Sequence, residues 1–261
     1  MSDVAIARDG AIARVTLNRP QLHNAFDEAL IQGLVDAFAA LGEDAAVRVV
    51  LLTGAGKSFS AGADLNWMQR ASTYDEEKNR ADARALELML RTIDECPKPV
   101  VGLINGAAIG GGVGLVAACD IAIAAESAVF ATSEVRLGIL PAVIAPFVVR
   151  AIGPREARRW FLTAERFGAG EARRIGLVHE VVPAEQLEAR GTAMVAELLK
   201  GGPEALAEAK RLVQLVRTMP QGGSILSEAT VAMIAERRAS DEGREGIGAF
   251  LEKRKPGWVK D

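Results

Sequence analysis

The stretch that decides the fold class runs from Val100 to Ala124 and reads VVGLINGAAIGGGVGLVAACDIAIA. Its first five residues, 100–104, are almost all apolar and predict a short buried strand. The glycine-rich turn 110–114 follows and opens a helix that runs through Ala118. Residues 121–124 then return to a strand pattern. A strand, a helix and a second strand in such close succession predict an α/β fold with a crossover helix.

The same alternation extends toward the N-terminus. Two β-branched runs, 4–8 and 11–17, flank Asp9-Gly10, a dipeptide that is typical of tight hairpin turns. A helix is predicted over 27–41, because apolar residues recur there at helical spacing, with Asn24 as its N-cap. Further strands are predicted at 47–53 and 129–131, a charged helix at 75–95 and a loop at 57–64.

The C-terminal part is helical by the same criteria. Helices are predicted near 155–163, 169–175, 184–199, 203–217, 223–239 and 242–252. No Pro- or Ser-rich linker separates them from the preceding strands. We therefore expect an α/β core over 1–195, which carries the functional site, and a docked helical region over 196–261.

Composition limits the class of protein. The 261 residues include 31 basic and 34 acidic side chains, a net charge of −3 that does not favour nucleic acid as a partner. No secretory signal and no membrane-length apolar run is present, so we expect a cytoplasmic protein without a membrane partner. The only cysteines, Cys96 and Cys119, together with two histidines, do not suggest a metal site, and we expect both thiols to be free and buried.

The glycine-rich turn allows three interpretations. Gly110, Gly112 and Gly114 have the spacing G-x-G-x-G, whereas the dinucleotide fingerprint requires G-x-G-x-x-G followed by an acidic residue at a strand end. Glu134 lies at a suitable separation but in a predicted loop. Alternatively, a strand-to-helix turn presents free backbone N–H groups that can hold a developing oxyanion. The glycines could also serve only to let two elements pack closely.

A second loop of small residues, 58–64, follows another predicted strand and has the same property. Its Asp64 is a candidate cap for the next helical turn. Two such loops can each supply one N–H donor to the same oxygen. If they converge in space, they form a two-donor oxyanion hole.

Four sequence blocks are found in order: Ser60–Leu65, Gly106–Gly112, Cys119–Ala124 and Ser133–Gly138. In this order they resemble the crotonase family, which comprises enoyl-CoA hydratases and isomerases. The resemblance extends from Asn18-Arg19-Pro20 to the C-terminal segment 250–256 and covers nearly the whole chain. It implies a crotonase (ClpP-like) fold, a stacked ββα superhelix with a helical C-terminal trimerisation region. It also implies homotrimers or homohexamers, an acyl-CoA substrate, and no cofactor other than the coenzyme A carried by that substrate.

By position, the resemblance assigns catalytic roles to Ala63, Gly111 and Glu134. The first two match the N–H pair that holds the thioester oxygen, and Glu134 matches a proton-transferring glutamate, although it could also be a solvated residue or an ion-pair partner of Arg136. Substrate or coenzyme contacts are assigned to Ala61, Asp64, Leu65, Trp67, Gly110, Gly114, Arg136, Ala142, Phe250 and Lys253. Simple packing is the alternative for Trp67, and a solvated helix end is the alternative for Lys253.

The chain departs from the family pattern at Gly114. Hydratases of this family typically carry a second catalytic glutamate at this position, and glycine has no side chain. A single glutamate, Glu134, can still move a proton between two carbons, which is the chemistry of a Δ3-Δ2 enoyl-CoA isomerase. It can also activate water and return the same proton to the α-carbon, which is hydration.

The residues around Gly114, together with the segments 64–68, 141–144 and 161–167, are similar to bacterial hydratases of 3-methylglutaconyl-CoA or isohexenylglutaconyl-CoA. Such substrates carry a second carboxylate, which an arginine such as Arg136 would suit, unless Arg136 is merely a surface residue. The sequence therefore predicts an enoyl-CoA hydratase of fatty acid metabolism or leucine degradation. The alternatives are the isomerase and a non-catalytic acyl-CoA-binding protein.

Overall fold

The computed structural model describes residues 2–219 and 223–259. The strands are β1 (Val4–Asp9), β2 (Ile12–Leu17), β3 (Val49–Gly54), β4 (Ser58–Ser60), β5 (Val100–Ile104), β6 (Ala107–Ile109), β7 (Ile121–Ala125), β8 (Val129–Ala131), β9 (Phe167–Gly168) and β10 (Glu180–Val182). The helices are α1 (Glu28–Glu43), α2 (Leu65–Ala71), α3 (Glu76–Asp94), α4 (Gly111–Ala118), α5 (Ala145–Thr163), α6 (Ala169–Arg174), α7 (Leu187–Leu198), α8 (Pro203–Thr218), α9 (Ser224–Ala239) and α10 (Asp241–Leu251). Short 3-10 turns occupy Pro20–Leu22, Glu134–Leu137 and Ala184–Gln186.

The strands form two sheets that are built from repeated strand pairs. The larger sheet has the order β1-β2-β3-β5-β7-β10, and the smaller one has the order β4-β6-β8-β9. In each of the pairs β3-β4, β5-β6 and β7-β8, the first strand joins the larger sheet and the second joins the smaller one. Helices follow each pair, and the strands of successive pairs run parallel. This repetition confirms the predicted α/β class and the stacked ββα superhelix.

The larger sheet is buried on both faces. Alternate residues of β3 point to opposite sides, so that Val50 and Leu52 join the main core while Val49 and Leu51 join a smaller cluster with Leu187 of α7. The main core also contains the apolar faces of α1, α3 and α4. A sheet that is covered on both sides explains why its central strands read as continuous apolar runs.

The N-terminal boundary of α1 corrects one prediction. Asn24 does not cap this helix; Asp27 does, and its carboxylate accepts a hydrogen bond from the Leu30 N–H at 2.9 Å. Asn24 is buried with a left-handed φ of 55°. Its amide donates to the carbonyl oxygens of Ala55 and Ser58 at 2.9 and 2.8 Å, and therefore joins two loops instead of ending a helix.

Several short elements were absent from the sequence prediction. They are the strands β4, β6, β9 and β10 and the helix α2. The first four have two or three residues each, too few for a periodic pattern to show. Helix α5 also begins ten residues earlier than predicted, since Gly153, with a φ of 75°, and Pro154 interrupt it and hid its first half from the sequence pattern.

The C-terminal helices differ from the core in burial. Helices α8 and α9 have no fully buried residue, and α10 has only Ala249. Large apolar side chains are exposed on them instead, among them Val213, Ile225, Val231, Ile234 and Ile247. Within the described residues, no helix is both long and apolar enough to cross a bilayer.

Candidate active site

A cavity of about 430 Å³ lies where the ends of β4 and β6 meet α2, α3 and the loop before α5. Eight of the residues that the sequence assigned to a site line this cavity: Ala61, Ala63, Leu65, Trp67, Gly110, Gly111, Glu134 and Ala142. Five others do not line it within this chain: Asp64, Gly114, Arg136, Phe250 and Lys253. The two small-residue loops therefore do meet in space, on one wall of the same cavity.

Backbone pairing directs the Ala63 N–H away from the core. The Phe26 N–H donates to the Gly62 carbonyl at 2.6 Å, and the Asp64 N–H donates to the Phe26 carbonyl at 2.8 Å. Because groups alternate along an extended strand, Ala63 between them presents its N–H on the other side. Among the described residues, no carbonyl or side chain accepts a hydrogen bond from it.

The second donor is Gly111, the first residue of α4, whose N–H has no intrahelical acceptor because it lies in the first turn. Here too, the described part of the chain offers no acceptor. A Cβ atom placed on Gly62 would lie 3.5 Å from the Gly111 nitrogen, so the two loops are in direct contact. This arrangement leaves two neighbouring N–H groups free to bind one oxygen.

The glycines at this junction are sterically required. A Cβ on Gly111 would lie 2.6 Å from the Phe26 ring, and one on Gly112 would lie 2.6 Å from the Ser60 carbonyl oxygen. Gly110 has a φ of 53°, which L-residues with side chains rarely adopt. The packing interpretation and the oxyanion interpretation of the turn are therefore compatible. Close approach of the backbone is what brings the Gly111 N–H to the cavity.

Glu134 projects into the cavity from the first turn of a 3-10 helix. A Cβ on Gly110 would lie only 3.3 Å from its Oε1, which places the carboxylate beside the glycine-rich turn. Its Oε2 is buried and has no hydrogen-bond partner within the described residues. Burial raises the pKa of this carboxyl, and the backbone N–H of the same residue opposes the shift. A half-buried carboxylate with a raised pKa holds a proton more readily than a solvated one, which suits a group that takes up and returns a proton.

The position of Gly114 has no room for a second carboxylate. A Cβ there would lie 2.5 Å from Ile144 Cγ2 and 3.3 Å from Leu90 Cδ1. Ile144 itself lines the cavity. An isoleucine therefore fills the space that a side chain at residue 114 would need, and Glu134 stands without a glutamate partner from this turn.

Arg19 is a residue that the sequence reasoning passed over. It is 8% exposed, donates to the Ala25 carbonyl at 2.7 Å and pairs with Asp27 at 2.9 Å. It also pairs with Asp64 at 3.4 Å, whose carboxylate caps α2. One buried guanidinium thus joins the segment 25–27 to Asp64, the residue that follows Ala63. In the sequence it stood within the Asn18-Arg19-Pro20 motif at the start of the family resemblance, and that motif says nothing about its partners.

The remaining assigned residues lie outside the cavity. Arg136 is exposed on the same 3-10 helix as Glu134. Phe250 is 82% exposed at the end of α10, and Lys253 follows it with a left-handed φ of 56°. Asp82 of α3, which the sequence reasoning did not single out, does line the cavity.

The chain is similar to known proteins in both sequence and fold. The sequence pattern of the family described as Enoyl-CoA hydratase/isomerase matches residues 7–261. The chain belongs to this family. Its fold matches the crystal structure of an enoyl-CoA hydratase from Shewanella pealeana with a TM-score of 0.94 and 40% identity, over 98% of this chain and 96% of the other.

Two curated members of the family are similar over their full length. The 2,3-dehydroadipyl-CoA hydratase of Escherichia coli is 32% identical, and the crotonyl-CoA hydratase of Syntrophomonas wolfei is 33% identical. Each alignment covers 98% of this chain and 98% of the relative. An acyl-CoA substrate is consistent with membership of this family.

Proposed function

We propose that the protein is an enoyl-CoA hydratase, a lyase that adds water across the 2,3 double bond of an acyl-CoA thioester. The observation that carries this proposal is the buried Oε2 of Glu134, which has no hydrogen-bond partner among the described residues, in the cavity that the N–H groups of Ala63 and Gly111 also line. A carboxylate next to two convergent donors fits a reaction in which negative charge develops on a carbonyl oxygen while a proton moves.

The reaction follows from the roles of these groups. The two N–H groups bind the thioester oxygen, on which charge builds as the enolate forms, and each donor contributes about 2.7–4 kcal/mol to that stabilisation. Glu134 takes a proton from water while the water oxygen forms a bond to C3. The enolate then takes that proton from Glu134 at C2, which restores the carboxylate and gives the 3-hydroxyacyl thioester.

For the acyl group we propose a branched, glutaconyl-type chain with a second carboxyl group. The similarity of the sequence to hydratases of such substrates supports this, as does the likeness to a 2,3-dehydroadipyl-CoA hydratase, because an adipyl chain also ends in a carboxyl group. Arg136 is exposed and does not line the cavity in this chain, so the proposal does not rest on it.

The assembly belongs to the same proposal. Exposed apolar side chains on α8, α9 and α10 are suited to burial between subunits of a trimer or a hexamer. In such an assembly Phe250 and Lys253 would contact the coenzyme A held by a neighbouring subunit. The proposed reaction needs no cofactor beyond the coenzyme A of the substrate, and we place it in the cytoplasm.

A second candidate, the Δ3-Δ2 enoyl-CoA isomerase, is favoured by one observation. Ile144 occupies the space beside Gly114, so that the glycine-rich turn supplies no second carboxylate for water. Double-bond migration requires only one base that removes a proton from C2 and returns it to C4, and Glu134 could do both.

Parallel turnover assays test the proposal. The purified protein is given 3-methylglutaconyl-CoA and, separately, a 3-enoyl-CoA, with Glu134→Gln as the control variant. We expect hydration of the first substrate that is lost in the variant. Double-bond migration in the second substrate without hydration of the first would establish the isomerase instead, and thioester binding without turnover of either would favour the non-catalytic alternative.

A further inference from the structure

Asp82 lies on the cavity face of α3, two turns before the residue that packs against Gly114. Asp82 and Leu86 line the cavity, and Leu90 lies within 3.3 Å of a Cβ at Gly114. These positions are spaced by four and therefore share one helix face. At 1.5 Å per residue, Asp82 is about 12 Å along the axis from Leu90. Asp82 therefore lies about two helical turns from the residue that packs against Gly114.

The indole of Trp67 provides a hydrogen-bond donor near Asp82. Trp67 lines the same cavity, is 7% exposed, and its Nε1 is buried without an acceptor in hydrogen-bond geometry among the described residues. The indole N–H nevertheless lies near enough to favour the charged form of Asp82. A ligand oxygen beside Asp82 can share this donor, and a well-formed hydrogen bond there recovers part of the about 1–3 kcal/mol that an unsatisfied buried donor costs.

The charges that face Asp82 come from three helices. Glu28 of α1 repels its carboxylate, while Arg70 of α2 and Lys78 of α3 attract it. Both cations already have other partners: Arg70 pairs with Glu28 at 2.6 Å, and Lys78 lies 3.8 Å from the centre of the Tyr74 ring. Burial is the larger effect, and together with Glu28 it raises the pKa of Asp82.

The charged residues that line the described cavity are Asp82 and Glu134, and both are acidic. An acyl chain with a second carboxylate therefore meets no cation there. Two carboxylates cannot approach each other in a partly buried site while both are ionised, but they can share one proton. A hydrogen-bonded carboxyl–carboxylate pair then carries a single charge.

We propose that Asp82 and the Trp67 N–H bind the second carboxyl group of the acyl chain, with one proton held between that carboxyl and Asp82. The inference rests on the proposed glutaconyl-type substrate. One carboxyl oxygen of the substrate shares the proton with Asp82, and the other accepts a hydrogen bond from the indole. The proton comes from solvent, so that binding of this substrate takes up one proton.

Proton uptake gives the pair a pH signature. Above the pKa values of both free carboxyls, kcat/KM for the carboxylate-tailed substrate falls tenfold for each pH unit. A substrate whose tail is a neutral methyl ester takes up no such proton. The ratio of kcat/KM for the acid to kcat/KM for the ester therefore reports the protonation of the tail alone, because the titration of Glu134 affects both substrates equally.

The experiment measures this ratio between pH 6 and pH 8 with 3-methylglutaconyl-CoA and its ω-methyl ester. We expect the wild-type ratio to fall about 100-fold over this range. In Asp82→Asn the amide donates without a proton, so the ratio is expected to become independent of pH and to exceed the wild-type ratio at pH 8. Trp67→Phe is expected to lower the ratio several-fold. Lys78→Gln removes a cation that attracts Asp82 from outside the cavity lining, so it is expected to change the ratio only slightly and to keep its wild-type dependence on pH.

Other results overturn the inference. A wild-type ratio that does not depend on pH, or an Asp82→Asn variant that behaves as wild type, removes Asp82 from tail binding while the proposed hydratase stands. If the acid-to-ester ratio in Lys78→Gln falls tenfold or more below that of wild type at every pH, the second carboxylate of the substrate is bound by a cation instead. If neither substrate turns over, proton uptake on binding is measured by calorimetry in two buffers of different ionisation enthalpy. Wild type is expected to take up one proton when it binds the acid thioester, and Asp82→Asn is expected to take up none. Any other result contradicts the inference.

Discussion

Two cavities of similar volume lie on the described structure. In one of them the charged side chains form ion pairs, whereas the other contains a carboxylate oxygen without a partner. The catalytic cavity measures about 430 Å³ and contains the unpartnered Glu134 Oε2. The second measures about 470 Å³ and lies between the core and α8. In it Arg150 pairs with Asp94, and Lys210 pairs with Asp120 at 2.8 Å.

The contrast separates charges that stabilise the fold from charges that can react. Asp120 also accepts a hydrogen bond from the Val100 N–H at 2.7 Å, so its burial beside α8 is compensated twice. At Glu134 only the backbone N–H of the same residue opposes the effect of burial, and Oε2 has no partner among the described residues, so a ligand or a proton is needed to supply one. The volumes of the two cavities do not distinguish them, whereas the hydrogen-bond partners of their carboxylates do.

Replacement of the reactive carboxylate is expected to have the largest effect. Glu134→Gln removes the proton acceptor but keeps the shape, so kcat for hydration should fall about 10³-fold. The free energy of unfolding, measured in urea, should decrease by less than about 1 kcal/mol, because the buried Oε2 has no hydrogen-bond partner to lose among the described residues. Retention of activity within tenfold of wild type would show that the unpartnered carboxylate does not distinguish the two cavities.

The oxyanion donors come next. Gly111→Ala forces a methyl group to within 2.6 Å of the Phe26 ring and displaces the N–H, which should lower kcat about 10²-fold. Gly170→Ala is a matched control, since a Cβ there meets nothing within 4 Å. Steady-state kinetics of both variants test this, and equal kcat values would mean that the Gly111 N–H is not positioned by its lack of a side chain.

In the paired cavity the expected effect is on stability. Lys210→Met leaves the Asp120 carboxylate half-buried without its cation and should lower the free energy of unfolding by about 1–2 kcal/mol at pH 7. Lys200→Met breaks an exposed pair with Glu197 and should cost less than about 0.5 kcal/mol. Chemical denaturation compares the two, and kcat per folded molecule should change in neither.

The smallest expected effect is a shift to higher pH of the point at which kcat/KM falls on the acid side of its pH profile. Glu134 must be ionised to accept a proton, and burial raises its pKa above the ordinary glutamate value of 4.5. Activity should therefore be complete above this raised pKa and be lost as the pH falls through it. The pH profile of kcat/KM on a neutral-tailed enoyl thioester measures this fall, and a midpoint at or below 4.5 would show that burial does not act on Glu134 as inferred.

Sequence patterns accounted for the parts of this fold in which neighbours along the chain act together. The hairpin around Asp9-Gly10, the buried strand at 100–104 and the helix that opens at Gly111 are all local features. The turn glycines and Glu134 were also accessible, because their spacing forms an ordered series of motifs. Asn24 was misassigned as a cap because an amide that bonds remote carbonyls looks the same in sequence as one that caps the next turn.

By itself, then, the sequence determined the strand–helix alternation, the family and the residues of the glycine-rich turn, since apolar period and glycine placement are properties of the local chain. Only the tertiary structure decided that Ile144 fills the space beside Gly114, that Arg19 joins two helix caps, and that Asp82 and Trp67 face the cavity. These side chains are brought together by sheet pairing and helix packing. Which residues such long-range contacts join depends on how every element packs, and no single segment of the chain specifies that.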